Sequence, residues 1–470
     1  MLQRTVFLVG LVVGFCSLLL FLPRIADAGF YSTGEGRFLV LEEEISYRHD
    51  DGSSLEKIAA ESAGWVYQRD KPFAVTKGPV HIWAKFELPN ATPARRALLS
   101  VGPWETVDYF IIKDGRLVDR QTVGLLVPWH ERAVRVTTTP LFLYGGLVAV
   151  DLQPQSRTTV FARLSSEQQF HSMRGLWFSL RDTNRVLEAE RRDRLFQGIF
   201  YGVMLVLVLY NLGLYFVIRE PSYLYFVILQ LTIAGVWAAQ LGLAIEFVWP
   251  DRPAWDRYLF WLGNFLGSYA AVQFVRSYLD TGKSYPRIDL LLKLAAYLYL
   301  LALPIVFFLP APIFDHLEKL LYVNLSLVAS MFALLIFALI RRHPLASNLL
   351  LAMVCLGGGF LVGGAMDLEV LPRIAWFFHA SQIGSALAGI VLSIGLGFRL
   401  RNLRADMVEK QLTEARMRGQ YEREKRELIE EQSRGLETKV SERTAELVAT
   451  QKQLEAASRH KSEFLANMSH

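Results

Sequence analysis

The sequence predicts a multidomain membrane protein: an extracytoplasmic all-β jelly-roll or sandwich domain, a seven-helix transmembrane bundle and a C-terminal α-helical coiled coil. Three observations carry this: a secretory signal at the start, seven long apolar runs between residues 195 and 398, and a proline-free charged tail. Across 470 residues the apolar fraction is 52%, above the soluble norm, while the net charge is only +5. That balance gives no basis for nucleic-acid binding. Cys16 and Cys355 both lie in apolar runs, so no disulfide framework holds a soluble part.

Residues 1–28 read as a signal peptide. A positive start at Arg4 precedes the apolar run Val6–Leu22, and Ala26-Asp27-Ala28 supplies small residues for cleavage after Ala28. A lipoprotein based on Cys16, against which the bulky Phe15 speaks, and an uncleaved anchor helix are the alternatives. In all three cases the residues after Ala28 are exported.

Residues 29–185 change character. Val80–Leu88 alternates with period two and stops at Pro89-Asn90, and Val107–Ile112 runs into the hairpin sequence Lys113-Asp114-Gly115-Arg116. Leu141–Tyr144 and Thr158–Leu164 read as further strands, and Leu55–Ala63 as a short helix. Trp83, Trp104, Trp129, His130, Arg132 and His171 are the residues able to build a ligand site, because aromatic faces stack on sugars and polar tips fix orientation. The bland reading of each tryptophan is core packing. An unknown small ligand, carbohydrate or ion, is the expected partner. No metal-ligand spacing and no catalytic constellation stands out.

Residues 195–398 hold seven runs of near the roughly 20 residues that cross a bilayer: Leu195–Ile218, Tyr223–Leu243, Tyr258–Val275, Leu290–Leu309, Leu320–Ile340, Leu345–Met366 and Ile374–Phe398. Loops after the first, third and fifth carry Arg219, then Arg276, Lys283, Arg287 and Lys293, then Arg341 and Arg342. Those after the second, fourth and sixth carry Glu246, Asp251 and Asp256, then Asp315 and Glu318, then Asp367 and Glu369. Arginine and lysine mark cytoplasmic loops, so the β domain is expected outside and the C-terminus in the cytoplasm. No Asp, Glu or Lys sits deep in a run, which speaks against a pump or transporter. Asn211, Gln230, Gln240, Asn264, Gln273, Asn324 and Gln382 are expected to hydrogen-bond between helices. The ridge Ser385-Gly389-Ser393-Gly397 and the pair Gly359/Gly363 are expected to pack helices closely, or to form a moving or dimer contact.

Residues 399–458 read as a coiled-coil linker. Leu400, Leu403, Met407, Met417, Tyr421 and Leu428 fit one seam, and Val440, Leu447 and Leu454 a second, displaced near Gly435. The chain then reads Lys461-Ser462-Glu463-Phe464-Leu465-Ala466-Asn467-Met468-Ser469-His470. This resembles the opening of the dimerisation and phosphoacceptor helix of sensor histidine kinases, which implies that residues 459–470 begin that helix and that His470 accepts the phosphoryl group. A neutral imidazole is a competent nucleophile for that step. The whole chain is similar to the seven-transmembrane receptors with diverse intracellular signalling modules, 7TMR-DISM, with Val80–Leu88 resembling an early strand of their type-2 sensor domain. The resemblance implies the sensor half of a two-component kinase in the bacterial inner membrane, acting as a homodimer on a response regulator. No phosphate-cradling loop occurs in the sequence, so no cofactor is expected in this chain. ATP and Mg are expected only with a kinase domain beyond residue 470. The alternative is a ligand-binding membrane receptor that signals through a partner's kinase.

Overall fold

The computed structural model describes residues 38–41, 44–61, 63–73, 79–88, 95–102, 104–136, 146–154, 157–167, 176, 178–308, 330–367, 371 and 379–468. The signal segment, Cys16, the strand expected at Leu141–Tyr144, His171, Asp315, Glu318, Asn324, Glu369 and His470 lie outside the described residues.

Among the described residues ten strands form the N-terminal domain: β1 Phe38–Leu41, β2 Ser46–His49, β3 Val66–Tyr67, β4 Val80–Leu88, β5 Arg95–Val101, β6 Thr106–Lys113, β7 Arg116–Val123, β8 Leu147–Leu152, β9 Thr158–Ser166 and β10 Phe178–Asp182. They pair antiparallel in two sheets, ordered β1-β10-β5-β8 and β3-β2-β4-β9-β6-β7. One core lies between them. Ile82, Ala84 and Phe86 of β4 face Leu99 of β5 and Phe178 of β10, with the Phe86 and Phe178 rings 4.4 Å apart. Burying each large side chain here contributes about 1.5–3 kcal/mol.

The sequence pattern and the strands agree closely where the pattern is strict. β4 occupies the residues whose alternation predicts it. Asp114 (φ 48°) and Gly115 (φ 80°) both take positive φ between β6 and β7, as a two-residue hairpin turn requires. The helix expected at Leu55–Ala63 ends sooner, as α1 Leu55–Ala60. α1 covers the outer face of the six-stranded sheet, where Ile58 packs with Trp83, Phe110 and Phe161.

Beside Trp83 lies a half-buried ion pair. Asp50 accepts from Arg163 Nε (2.6 Å) and from the Trp83 indole (3.1 Å), and its side chain is only 3% exposed. Burial pushes the Asp50 carboxyl up, but the bonds from Arg163, the Gly52 amide and Trp83 outweigh it, so the net shift is downward. A depressed carboxyl stabilises the fold above its ordinary unfolded value and loses that contribution as pH falls through the folded one. The window therefore lies below about pH 4. Asp50→Asn is expected to cost about 2 kcal/mol at pH 7 and to flatten this acid limb. Denaturant titrations of the whole chain at pH 3 to 7, followed by tryptophan emission, check both effects.

The remaining elements are helices. α2 Thr183–Ile218 is capped by Asp182, whose carboxylate accepts from the Asn184 and Arg185 amides. Then come α3 Pro221–Gln240, α4 Leu243–Phe247, α5 Trp255–Leu279, α6 Thr281–Ser284, α7 Pro286–Phe308, α8 Ser330–Ile340, α9 Ala346–Asp367 and α10 Ala380–Met468. Only Arg219 and Glu220 separate α2 from α3, with Arg219 in the left-handed region (φ 58°) and Pro221 opening α3. Arg342, after α8, takes the same conformation. Of the seven expected spans, four described helices are long and apolar enough to cross a membrane: α2, α3, Ala346–Gly363 of α9, and the apolar first part of α10. α8 is a shorter apolar piece.

Residues Phe398–His470 form a second unit. The helix runs without interruption through Gly435, where the expected seam changes phase. Met407, Met417, Tyr421, Leu428, Val440, Leu447 and Leu454 are all exposed.

Candidate functional site

Among the described residues the β domain meets the helices at two places. The first is a 3₁₀ turn, Trp129–Glu131, formed because Pro128 presets the chain direction ahead of it. Its Trp129 amide donates to the Pro250 carbonyl (2.8 Å), and His130 Nε2 lies 3.3 Å from Asp251 Oδ1. Arg132 is buried behind it, donating from Nε to the Val127 carbonyl (3.1 Å) with its guanidinium 5.6 Å over the Trp129 ring. On the facing loop, the Trp249 indole donates to Asp256 (2.7 Å) and fixes its shape. The second place is the start of α2, where Val186 packs with Leu98 and Leu147, and Thr183 donates to the Arg96 carbonyl.

These contacts redistribute the residues singled out as ligand candidates. Trp83, Trp104 and Trp129 are 1, 1 and 7% exposed, so their ring faces are used in packing rather than offered to a sugar. Trp83 stacks on Phe110 (5.7 Å) under α1, while Trp104 sits in the core beside Phe73 (6.3 Å). Trp129, His130 and Arg132 come together, but as the strut against the Pro250–Asp251 loop. The five described candidates thus form three separate clusters, not one pocket. Among the described residues no three His, Cys, Asp or Glu side chains gather as a metal cluster.

Within the bundle, α10 is tied along its length by polar side chains. Gln382 and Gln197 of α2 exchange two amide bonds (3.1 and 2.9 Å), and Asn211 donates to Ser393 (2.9 Å). Tyr223 of α3 donates to the Leu396 carbonyl (3.1 Å), and Asn348 of α9 to the Val391 carbonyl (3.0 Å). Interhelical bonds by Asn and Gln were expected; Asn264 instead bonds the Phe260 carbonyl of its own helix. Gln273 serves Arg276 and is bonded to Tyr269, all on α5.

The small-residue ridge is only partly a contact. A Cβ at Gly389 would meet Gln230 Nε2 at 2.8 Å, and Ser393 bonds Asn211, but nothing lies within 4 Å of a Cβ at Gly397. Ser385 turns to the Gln382 carbonyl of its own helix. A close approach of backbone to backbone falls on Gly384, which faces Gly359 of α9; Gly359 belongs to the expected Gly359/Gly363 pair. Gly384 stands outside the every-fourth-residue register, so the ridge did not reveal it.

At the opposite end of the helices, Asp289 joins α5, α6 and α7. It accepts from Arg276 Nε (2.8 Å), Thr281 Oγ1 (2.7 Å) and Lys293 Nζ (3.1 Å), with the carboxylate 6% exposed. The Arg276 hydrogen bond holds this carboxyl, just ahead of the apolar run beginning at Leu290, well below the ordinary range despite burial. In the second unit the motif from Lys461 through Leu465 lies on the exposed part of α10.

Comparison with known families gives two matches. Residues 42–177 match the model described as 7TMR-DISM extracellular 2, and residues 193–399 match that described as 7TM diverse intracellular signalling. No curated protein matches the chain.

Proposed function

We propose, from the premise that the chain carries a 7TMR-DISM type-2 extracellular domain followed by a 7TMR-DISM seven-helix domain, that it is the sensor half of a two-component histidine kinase. A ligand at the jelly-roll-like outer domain shifts the strut at Trp129–His130 and the base of α2. The bundle, completed to seven spans in the bacterial inner membrane, passes the shift to α10. α10 passes it to His470, which accepts a phosphoryl group from ATP held by a kinase domain beyond this chain.

The observation that carries this reading is α10 itself. One helix holds both the bundle anchors from Ser381 to Leu396 and the motif as far as Met468. A helix without proline transmits rotation or displacement instead of absorbing it at a kink. The exposed seam from Met407 to Leu454 supplies the surface for a homodimer. A response regulator is the downstream partner.

The coding region read through beyond His470, expressed and incubated with labelled ATP and Mg, is expected to yield acid-labile phosphoprotein. His470→Ala is expected to remove all of it. Label that survives His470→Ala overturns the assignment of the acceptor. A reading frame that closes without an ATP-binding domain turns the reading to a receptor working through a partner's kinase.

A further inference from the structure

We propose that the loop between α3 and α5 is a membrane-surface foot. Phe247, Val248 and Trp255 insert at the headgroup–acyl boundary of the leaflet nearest the β domain, and Arg252 meets the lipid phosphates. The strut that carries the β domain thus rests on lipid as well as on protein. The proposal needs only that α2 and α3 cross a bilayer, and it stands whether or not the chain feeds a kinase.

The depth of the loop is fixed by its neighbours. Arg194 is the last charged residue of α2 before the apolar run that opens at Leu195. Its guanidinium donates to Glu246 of α4 (3.1 Å), so Glu246 stands at the level where the charges of α2 end. α5 gives the same level from the other side of the loop, with Asp256 and Arg257 in its first turn ahead of the apolar run from Tyr258. Charged side chains stay out of hydrocarbon, so these two levels mark where it begins. Gly242 (φ 72°) turns the chain between α3, a spanning helix, and α4, which places Phe247 and Val248 at that boundary.

What the loop exposes there is apolar. Ala244 and Ile245 of α4 are buried, whereas Phe247, Val248 and Trp255 are 70, 64 and 49% exposed. The Trp249 ring lies 6.1 Å from that of Trp255 and joins the two ends of the loop into one patch. The Arg252 guanidinium stands 5.9 Å over the Trp255 ring. Tryptophan collects at the headgroup level, and an arginine can lay its stem on apolar surface while its charge stays among the phosphates. The loop is also held in shape before any lipid arrives. The Trp249 indole donates to Asp256 (2.7 Å), and the Arg252 and Trp255 amides close successive turns on the Trp249 and Arg252 carbonyls (both 3.0 Å). A preformed surface binds without an ordering cost of its own.

Lipid is the occupant because the spanning helices α2 and α3 already bring it to this level. The apolar side chains exposed on β7, Leu117 and Val118, have no comparable tie to the bilayer boundary and are not part of the patch. The consequence lies between Val248 and Trp255. There Pro250 accepts the Trp129 amide (2.8 Å), so the residue that holds the β domain belongs to the same rigid turn as the lipid-facing side chains. A change in leaflet packing or headgroup charge that shifts the patch therefore shifts the strut.

The test uses the whole chain in nanodiscs of phosphatidylethanolamine and phosphatidylglycerol, with Cys16 and Cys355 replaced by serine. A spin label is placed on Val248→Cys, and separately on Leu209→Cys of α2 and Leu117→Cys of β7 as lipid and water references, all exposed positions. Power saturation compares access to oxygen, which concentrates in lipid, with access to a nickel chelate, which stays in water. The Val248 label is expected to be open to oxygen and shielded from nickel, nearer to the Leu209 label than to the Leu117 label. Arg252→Glu is expected to lose part of that shielding while the Leu209 label keeps its own, which also shows that the bundle remains folded. A Val248 label as open to nickel as the Leu117 label overturns the proposal. So does a Val248 label shielded from both reagents, since protein, such as a second copy of the chain, then covers the patch. Shielding that Arg252→Glu leaves intact overturns the phosphate contact.

Discussion

Gly384→Val is expected to prevent α9 and α10 from closing and to leave little monodisperse protein after solubilisation. A Cβ at Gly384 would stand 2.5 Å from the Cys355 carbonyl oxygen and 3.2 Å from the Gly359 Cα. Both obstacles are backbone, so no side-chain rotation relieves the clash. Overpacking that forces backbone to move costs about 3 kcal/mol or more, and the valine branch adds a second carbon on the same side. Gly359→Val meets the mirror obstacle, the Ala380 carbonyl oxygen at 2.5 Å, and is expected to fail equally. Gly397→Val has open space around it and serves as the control. Yield of monodisperse chain and thermal midpoint in one detergent are the measurements. A Gly384→Val chain that matches the Gly397→Val chain would show that the helices do not cross there.

Asp289→Ala is expected to be the most damaging change among the charged groups. It removes the acceptor of three donors from Arg276, Thr281 and Lys293, and leaves Gln273 on α5 as the remaining partner of the Arg276 guanidinium among the described residues. Breaking a largely buried pair in this way costs about 3–5 kcal/mol. Asp289→Asn keeps the shape and loses the charge, so it is expected to fall between wild type and alanine. Chemical denaturation of the solubilised chain orders the three. Because the Asp289 carboxyl is held below the ordinary range, the difference is expected to stay constant from pH 5 to 8.

The sequence pattern reached as far as local periodicity reaches. β4 and the Asp114-Gly115 turn were legible because alternation and turn chemistry act over a few neighbouring residues. Core packing was the bland reading of Trp83, but what covers it was not legible, because α1 reaches the outer face of its strand from a segment 25 residues upstream. Trp129, His130 and Arg132 have the composition of a sugar site and of a docking turn alike. What separates them is the Pro250–Asp251 loop, more than a hundred residues further along. Asp289 was absent from the counted loop charges, and the sequence offered no sign that Arg276, counted as a topology marker, is consumed by it.

The two-residue connection at Arg219–Glu220 sets a mechanical boundary condition. With α2 and α3 joined by one left-handed residue and one proline-initiated turn, the two helices cannot slide past each other at that end. The motion left to them is rotation about the joint, so a displacement delivered to the base of α2 becomes an angle, as in a pair of tweezers. Its amplitude is greatest at the β-domain end and vanishes at the joint. The polar ties from α2 to α10 are spread along that lever: Gln197–Gln382 lies on the long arm, and Asn211–Ser393 nearer the pivot. A given tilt therefore strains the glutamine pair more than the asparagine bond.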